Sequence, residues 1–145
     1  MRKSTAFAFA LCGTLLLVLL FVGARMLYIG HHSQSFEKIA GKGEQFQLTL
    51  MENDTLIAEL TDSAQIAAVT DLLKGYTYTE YPHFFHPRDN ELSANRLTVL
   101  FENGHSISVN ADGYIFVNDK LRDVEGGRGK EFYHLLYITF YPNAE

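Results

Sequence analysis

Hydrophobic residues are arranged along this chain in three ways: one unbroken run, several short alternations, and stripes at helical spacing. The unbroken run comes first. No residue from Ser4 to Ala24 is charged, and Leu15–Leu16–Leu17–Val18–Leu19–Leu20–Phe21–Val22 is the most apolar part. A helix over 4–24 is about 30 Å long, enough to cross a hydrocarbon core. Cys12, Gly13 and Thr14 interrupt the run, but small and hydroxyl side chains are satisfied within a helix in lipid. A soluble core helix would need cover on every face, and 145 residues leave little material for that. The run therefore reads as a bilayer contact through residues 4–24.

Residues 28–43, "YIGHHSQSFEKIAGKG", show no such pattern and read as a juxtamembrane tether, with Gly41 and Gly43 marking the edge of a folded unit. In "EQFQLTLM", Phe46, Leu48 and Leu50 alternate with polar residues, the period of a half-buried strand. Asn53–Asp54 supplies a turn and "TLIAEL" (55–60) the returning strand of a hairpin. Ile66, Val69, Leu72 and Leu73 then recur at three- and four-residue spacing. This predicts a helix capped by Thr61 or Asp62 and closed at Lys74–Gly75.

Residues 95–101, 105–110 and 114–119 read as three strands of a meander, joined at Asn103–Gly104 and Asp112–Gly113, pairs that accept positive φ. A last helix is expected over 130–137, with Phe132, Leu135 and Leu136 inward; β-branched 138–140 fits a strand equally well. The order β-β-α-β-β-β-α predicts an α+β fold: an N-terminal transmembrane helix, then a small antiparallel sheet with helices packed on one face. The domain boundaries are 1–27 for stub and anchor, 28–43 for the tether, and 44–145 for the extracytoplasmic domain.

Charge sets the orientation. Arg2 and Lys3 precede the run and Arg25 follows it, so the flanks are nearly balanced. Residues 26–145 carry all 17 Asp and Glu against nine Lys and Arg. A short N-terminal stub on the cytoplasmic side with an exported C-terminal domain fits this distribution. The apolar run exceeds the 7–15 residues usual for a signal peptide, which favours an uncleaved anchor in the cell membrane. Cleavage near Ala24, giving a secreted domain, is the alternative, because Val22–Gly23–Ala24 offers small residues. Cys12 is the single cysteine, so the exported part has no disulfide, which points to a bacterial envelope. The acidic balance argues against nucleic acid.

Candidate chemistry is sparse. "GGRG" (126–129) lacks the spacing of a phosphate loop or dinucleotide fingerprint, although Arg128 and the backbone amides beside it are suited to an anion. His83, His86 and Asp89 form H-x-x-H-x-x-D, but Pro82 and Pro87 oppose the helix that would gather them as metal ligands. No nucleophile elbow is present. Ser106 and Ser108 read as solvent-facing strand residues, and Asp119, Asp123 and Glu125 as a solvated rim. No cofactor and no enzymatic activity are expected.

The segment 76–94, "YTYTEYPHFFHPRDNELSA", is dense in aromatic and histidine side chains. It predicts either a lid over the core or an exposed contact surface. The binding candidates are Tyr78, Tyr81, His83, Phe84, Phe85, His86 and Arg128. In layout the chain resembles small single-pass proteins of Gram-positive bacteria that display one domain outside the membrane. The expected role is a non-catalytic interaction or sensor-accessory module whose partner is another membrane or envelope protein. A small-ligand, anion or metal-binding envelope domain is the alternative, and an envelope enzyme a more distant one.

Overall fold

The computed structural model describes residues 3–143; Arg2 of the positive flank lies outside the described residues. The chain forms two compact units, Met1–His32 and Ser33–Glu145. The first consists of helix α1 (Lys3–His31), none of whose residues is buried. By length and composition α1 is able to cross a membrane. Its 29 residues span about 43 Å. The same properties fit a membrane-spanning segment and a signal sequence.

The second unit is an antiparallel sheet with helices against it, as the hydrophobic pattern predicts, with seven strands where the pattern gives five. Its strands are β1 (Leu48–Glu52), β2 (Thr55–Leu60), β3 (Tyr78–Glu80), β4 (Arg96–Phe101), β5 (Ser106–Asn110), β6 (Ile115–Val117) and β7 (Lys120–Val124). They lie in the order β2-β1-β4-β5-β6-β7-β3. The first hairpin and the β4–β7 meander each have sequence neighbours side by side. Helix α3 (Ser63–Lys74) links β2 at one edge to β3 at the other.

One face of the sheet is apolar because the alternation is kept in register across strands. Leu50 stands opposite Val99, Val99 opposite Ile107, and Ile107 opposite Val117. Against this face α3 buries Ile66, Val69 and Leu73, while α5 (Gly129–Phe140) buries Phe132, Leu136 and Phe140. Asp62 caps α3, its carboxylate accepting from the Ala64 and Gln65 amides at 3.1 and 3.0 Å.

Four features depart from the sequence pattern. The stretch read as a tether contains a one-turn helix, α2 (Phe36–Ala40), which buries Phe36, Ile39 and Ala40 in the core. Just before it, Gln34 pairs with Tyr78 at the β3 edge, so the chain is folded in from that point. Second, Asn118–Asp119 is not the end of a strand. Both residues have positive φ, as do Asn53 and Asp54 in the first hairpin, and they turn the chain into β7. Third, α5 runs on to Phe140, because Phe132, Leu136 and Phe140 fall on one face four residues apart; Leu135 faces solvent. Fourth, Phe46 lies outside β1 and is exposed.

The opposite face of the sheet is more polar but not simply solvated. Ser108 is fully buried there and hydrogen-bonds Thr98 Oγ1 at 2.9 Å, so it is not the solvent-facing residue expected. Phe116 is buried on this face too, under the Arg96 guanidinium, which lies 4.0 Å from the ring centroid and bonds Asp119 at 2.7 Å. Asp119 is 83% exposed, as a solvated rim residue should be, and is in addition the ion-pair partner of Arg96.

Candidate functional site

One end of the sheet collects the segments of interest: the chain leaving β3, the β5–β6 turn at 111–114, the start of β4 and the N-terminus of α5. Their meeting point is tight. Gly113 (φ +86) and Gly129 pack backbone against backbone, leaving no room for a Cβ at either residue. Asn110 organises the turn from within. Its Oδ1 accepts from the Asp112 and Tyr114 amides at 3.1 and 3.0 Å, and its Nδ2 donates to the Glu91 carbonyl at 2.8 Å. Glu91 belongs to the short helix α4 (Asp89–Leu92), so the same side chain ties the end of the aromatic loop to the sheet.

The aromatic segment divides into three parts. Tyr78 is core. It is 1% exposed and its hydroxyl donates to the Leu73 carbonyl at 2.9 Å; burial pushes its ionisation far above the ordinary tyrosine range. It therefore belongs with the packing residues and not with the surface candidates. Tyr81 is a half-buried bracket. Its ring centroid lies 5.3 Å from His83, 5.7 Å from His86 and 6.4 Å from Tyr114. Phe84 and Phe85 form the outward tip, 60% and 90% exposed. The end of the strand explains the split: Tyr78 is held in β3 with its side chain in the core, whereas Tyr81 lies just beyond Glu80, the last residue of β3.

Tyr81, His83 and Arg128 do converge, on a cleft of about 570 Å³ that Tyr114, Arg122, Asp123 and Lys130 also line. Its charges are largely matched. Arg122 is paired with Glu80, and Arg128 lies 3.7 Å from Glu131 with its guanidinium over the Tyr76 ring. Asp123, expected in a solvated rim, is partly buried; desolvation raises its carboxyl pKa, and its Oδ1 accepts from the Val124 amide at 2.8 Å. Tyr114, Arg122 and Asp123 are lining residues that the sequence reading missed. The signal that would have found them is Asn118–Asp119: read as a turn, it creates β7 and places Arg122 and Asp123 beside β3. Among the described residues no group of three or more His, Cys, Asp and Glu is placed to hold a metal ion, so His83, His86 and Asp89 do not form such a set.

The same end carries a polar latch on α5. Tyr141 donates its hydroxyl to Glu52 at the end of β1, and Asn95 Nδ2 donates to the other carboxylate oxygen. Tyr133, Tyr137 and Tyr141 line up behind it, with centroids 6.1 and 5.0 Å apart. The hydrogen bond to Glu52 pushes the Tyr141 pKa up to about 12, whereas the bonds from Tyr141 and Asn95 hold the Glu52 carboxyl below its ordinary value. The latch has a defined pH window. Its tyrosine contribution is complete below the unfolded value of about 10 and is lost as pH rises toward 12. Its carboxylate contribution is present above the ordinary carboxylate range and is lost as pH falls through the lowered value. Tyr141→Phe is expected to cost about 1 kcal/mol at pH 7 and to flatten the alkaline limb of a stability–pH curve measured by urea unfolding.

Compared with protein-family models, curated proteins and solved structures, the chain matches none. The class it defines by its own features is an N-terminal apolar helix, able to span a membrane or serve as a signal, followed by a small α+β domain. No catalytic signature has emerged from its sequence or its described geometry.

Proposed function

We propose that this protein is a single-pass membrane protein whose exported domain is a non-catalytic interaction or sensor-accessory module, with the 81–86 loop as its contact surface. The observation that carries the reading is the exposed Phe84–Phe85 tip on a loop braced at its base by Tyr81. Phe85, 90% exposed, forgoes most of the roughly 1.5–3 kcal/mol that full burial contributes, a cost that a contact surface recovers on binding. The ligand-binding alternative has the cleft in its favour, but Glu80 and Glu131 already partner its two arginines.

The test is in-cell photocrosslinking from a photoreactive residue at position 85, with position 46 as the control, because Phe46 is also exposed but lies outside the loop. Adducts from 85, to protein or to lipid, and none from 46 are expected. Equal labelling from both, or none from either, would contradict the reading. Phe84→Ser with Phe85→Ser should leave the circular dichroism spectrum and melting midpoint unchanged, since neither ring is part of the core. Loss of folding would show that the tip is structural.

A further inference from the structure

The position and chemistry of the loop select its occupant. The Gln34 amide donates to the Tyr78 carbonyl at 2.7 Å and the Tyr78 amide to the Gln34 carbonyl at 2.9 Å. β3 is thus fastened to the chain three residues beyond His31, the last residue of α1. Three residues of extended chain reach about 11 Å at most. The β2 edge lies six strands away across the sheet, about 29 Å at the usual strand spacing. Of the two sheet edges, β3 is the one fastened to the chain within three residues of α1, and the loop leaves the sheet from that edge, immediately after Glu80.

Charge separates the loop from the rest of the domain. Residues 81–88, "YPHFFHPR", contain no carboxylate and carry Arg88 and two histidines, in an exported part where acids outnumber Lys and Arg 17 to nine. The acidic remainder is repelled by an anionic surface, whereas the loop is not. Its composition is that of a membrane interface: rings that enter the acyl boundary, flanked by amphipathic Tyr, His and Arg side chains at headgroup depth. Pro82 and Pro87 bracket the tip and restrict its backbone, which lowers the entropy lost on insertion.

We infer that the 81–88 loop is a lipid contact. Phe84 and Phe85 enter the interfacial layer of the bilayer that holds α1, giving the domain a second attachment point and fixing which side of it faces outward. This inference rests on α1 being an uncleaved anchor, and the experiment separates the two.

The chain has no tryptophan, so single replacements are clean reporters. The full chain carrying Phe85→Trp, Leu15→Trp or Leu56→Trp is reconstituted into phosphatidylcholine vesicles with and without bromine-labelled acyl chains. Leu15 reports on the middle of α1, and Leu56 on the exposed β2 edge. Blue-shifted, quenched emission from positions 15 and 85, with unshifted, unquenched emission from 56, is expected. Quenching at 15 without quenching at 85 overturns the lipid contact while leaving the anchor in place, and assigns the loop to a protein partner. No quenching at 15 or 85 overturns both. Equal quenching at 56 and 85 overturns a contact specific to the loop. Phe84→Trp is the second reporter should Phe85→Trp alter the circular dichroism spectrum.

Discussion

Gly129→Ala is expected to destabilise the α+β domain by at least about 3 kcal/mol, the upper end of ordinary overpacking costs. Helix propensity alone predicts the opposite sign, since alanine is favoured over glycine in a helix by about 1 kcal/mol. Packing decides the outcome. A Cβ at Gly129 would lie 1.9 Å from the Gly113 carbonyl oxygen and 2.8 Å from its carbonyl carbon. Both obstacles are backbone, so no side-chain rotation relieves the overlap. The β5–β6 turn or the start of α5 must move, and with either goes the cleft lined by Tyr81, His83 and Arg128. Gly43→Ala is the matched control, because a Cβ there meets nothing within 4 Å. Urea unfolding should show a much lower midpoint for G129A and little change for G43A. Equal midpoints would show that the contact between Gly113 and Gly129 is not close.

Phe132→Ala is expected to cost about 3–5 kcal/mol, the range for truncating a fully buried aromatic residue. Phe132 is 0% exposed, with ring centroids 4.7 Å from Tyr76 and 6.4 Å from Tyr78. It is where α5 meets the α3–β3 connection at Tyr76 and the start of β3 at Tyr78, so the cavity left behind is walled by two large rings with little freedom to collapse. Against a typical total of about 5–15 kcal/mol the loss is a large fraction. Phe85→Ala, at the exposed tip, should stay within about 0.5 kcal/mol of the parent. Paired thermal melts of these two variants separate core aromatic residues from surface ones.

Much of this architecture is written in local pattern. The alternations at Leu48 and Leu50 and at Leu97, Val99 and Phe101, the Asp62 cap and the Ile66–Val69–Leu73 stripe each identify their element unaided. The elements that escaped have specific reasons. β7 carries Lys120, Arg122 and Asp123, a composition that reads as loop until Glu80 is seen to pair with Arg122 across the β3–β7 ladder. α2 is a single turn, too short for a period to show. Residues 138–140 favour strand by composition, yet they stay helical because Phe140 extends the buried stripe of Phe132 and Leu136. The division of the aromatic segment into core, bracket and tip depends on where β3 pairs, a long-range contact that no local window contains.

We propose that α1 stays intact and keeps the domain attached to a membrane. Intact-mass spectrometry of the chain recovered from carbonate-washed membranes, with protease added to intact cells stripped of their wall, decides between this and cleavage. The expected chain retains residues 1–24, resists carbonate extraction and loses its 33–145 domain to external protease. A soluble chain beginning just after Ala24 would overturn the proposal.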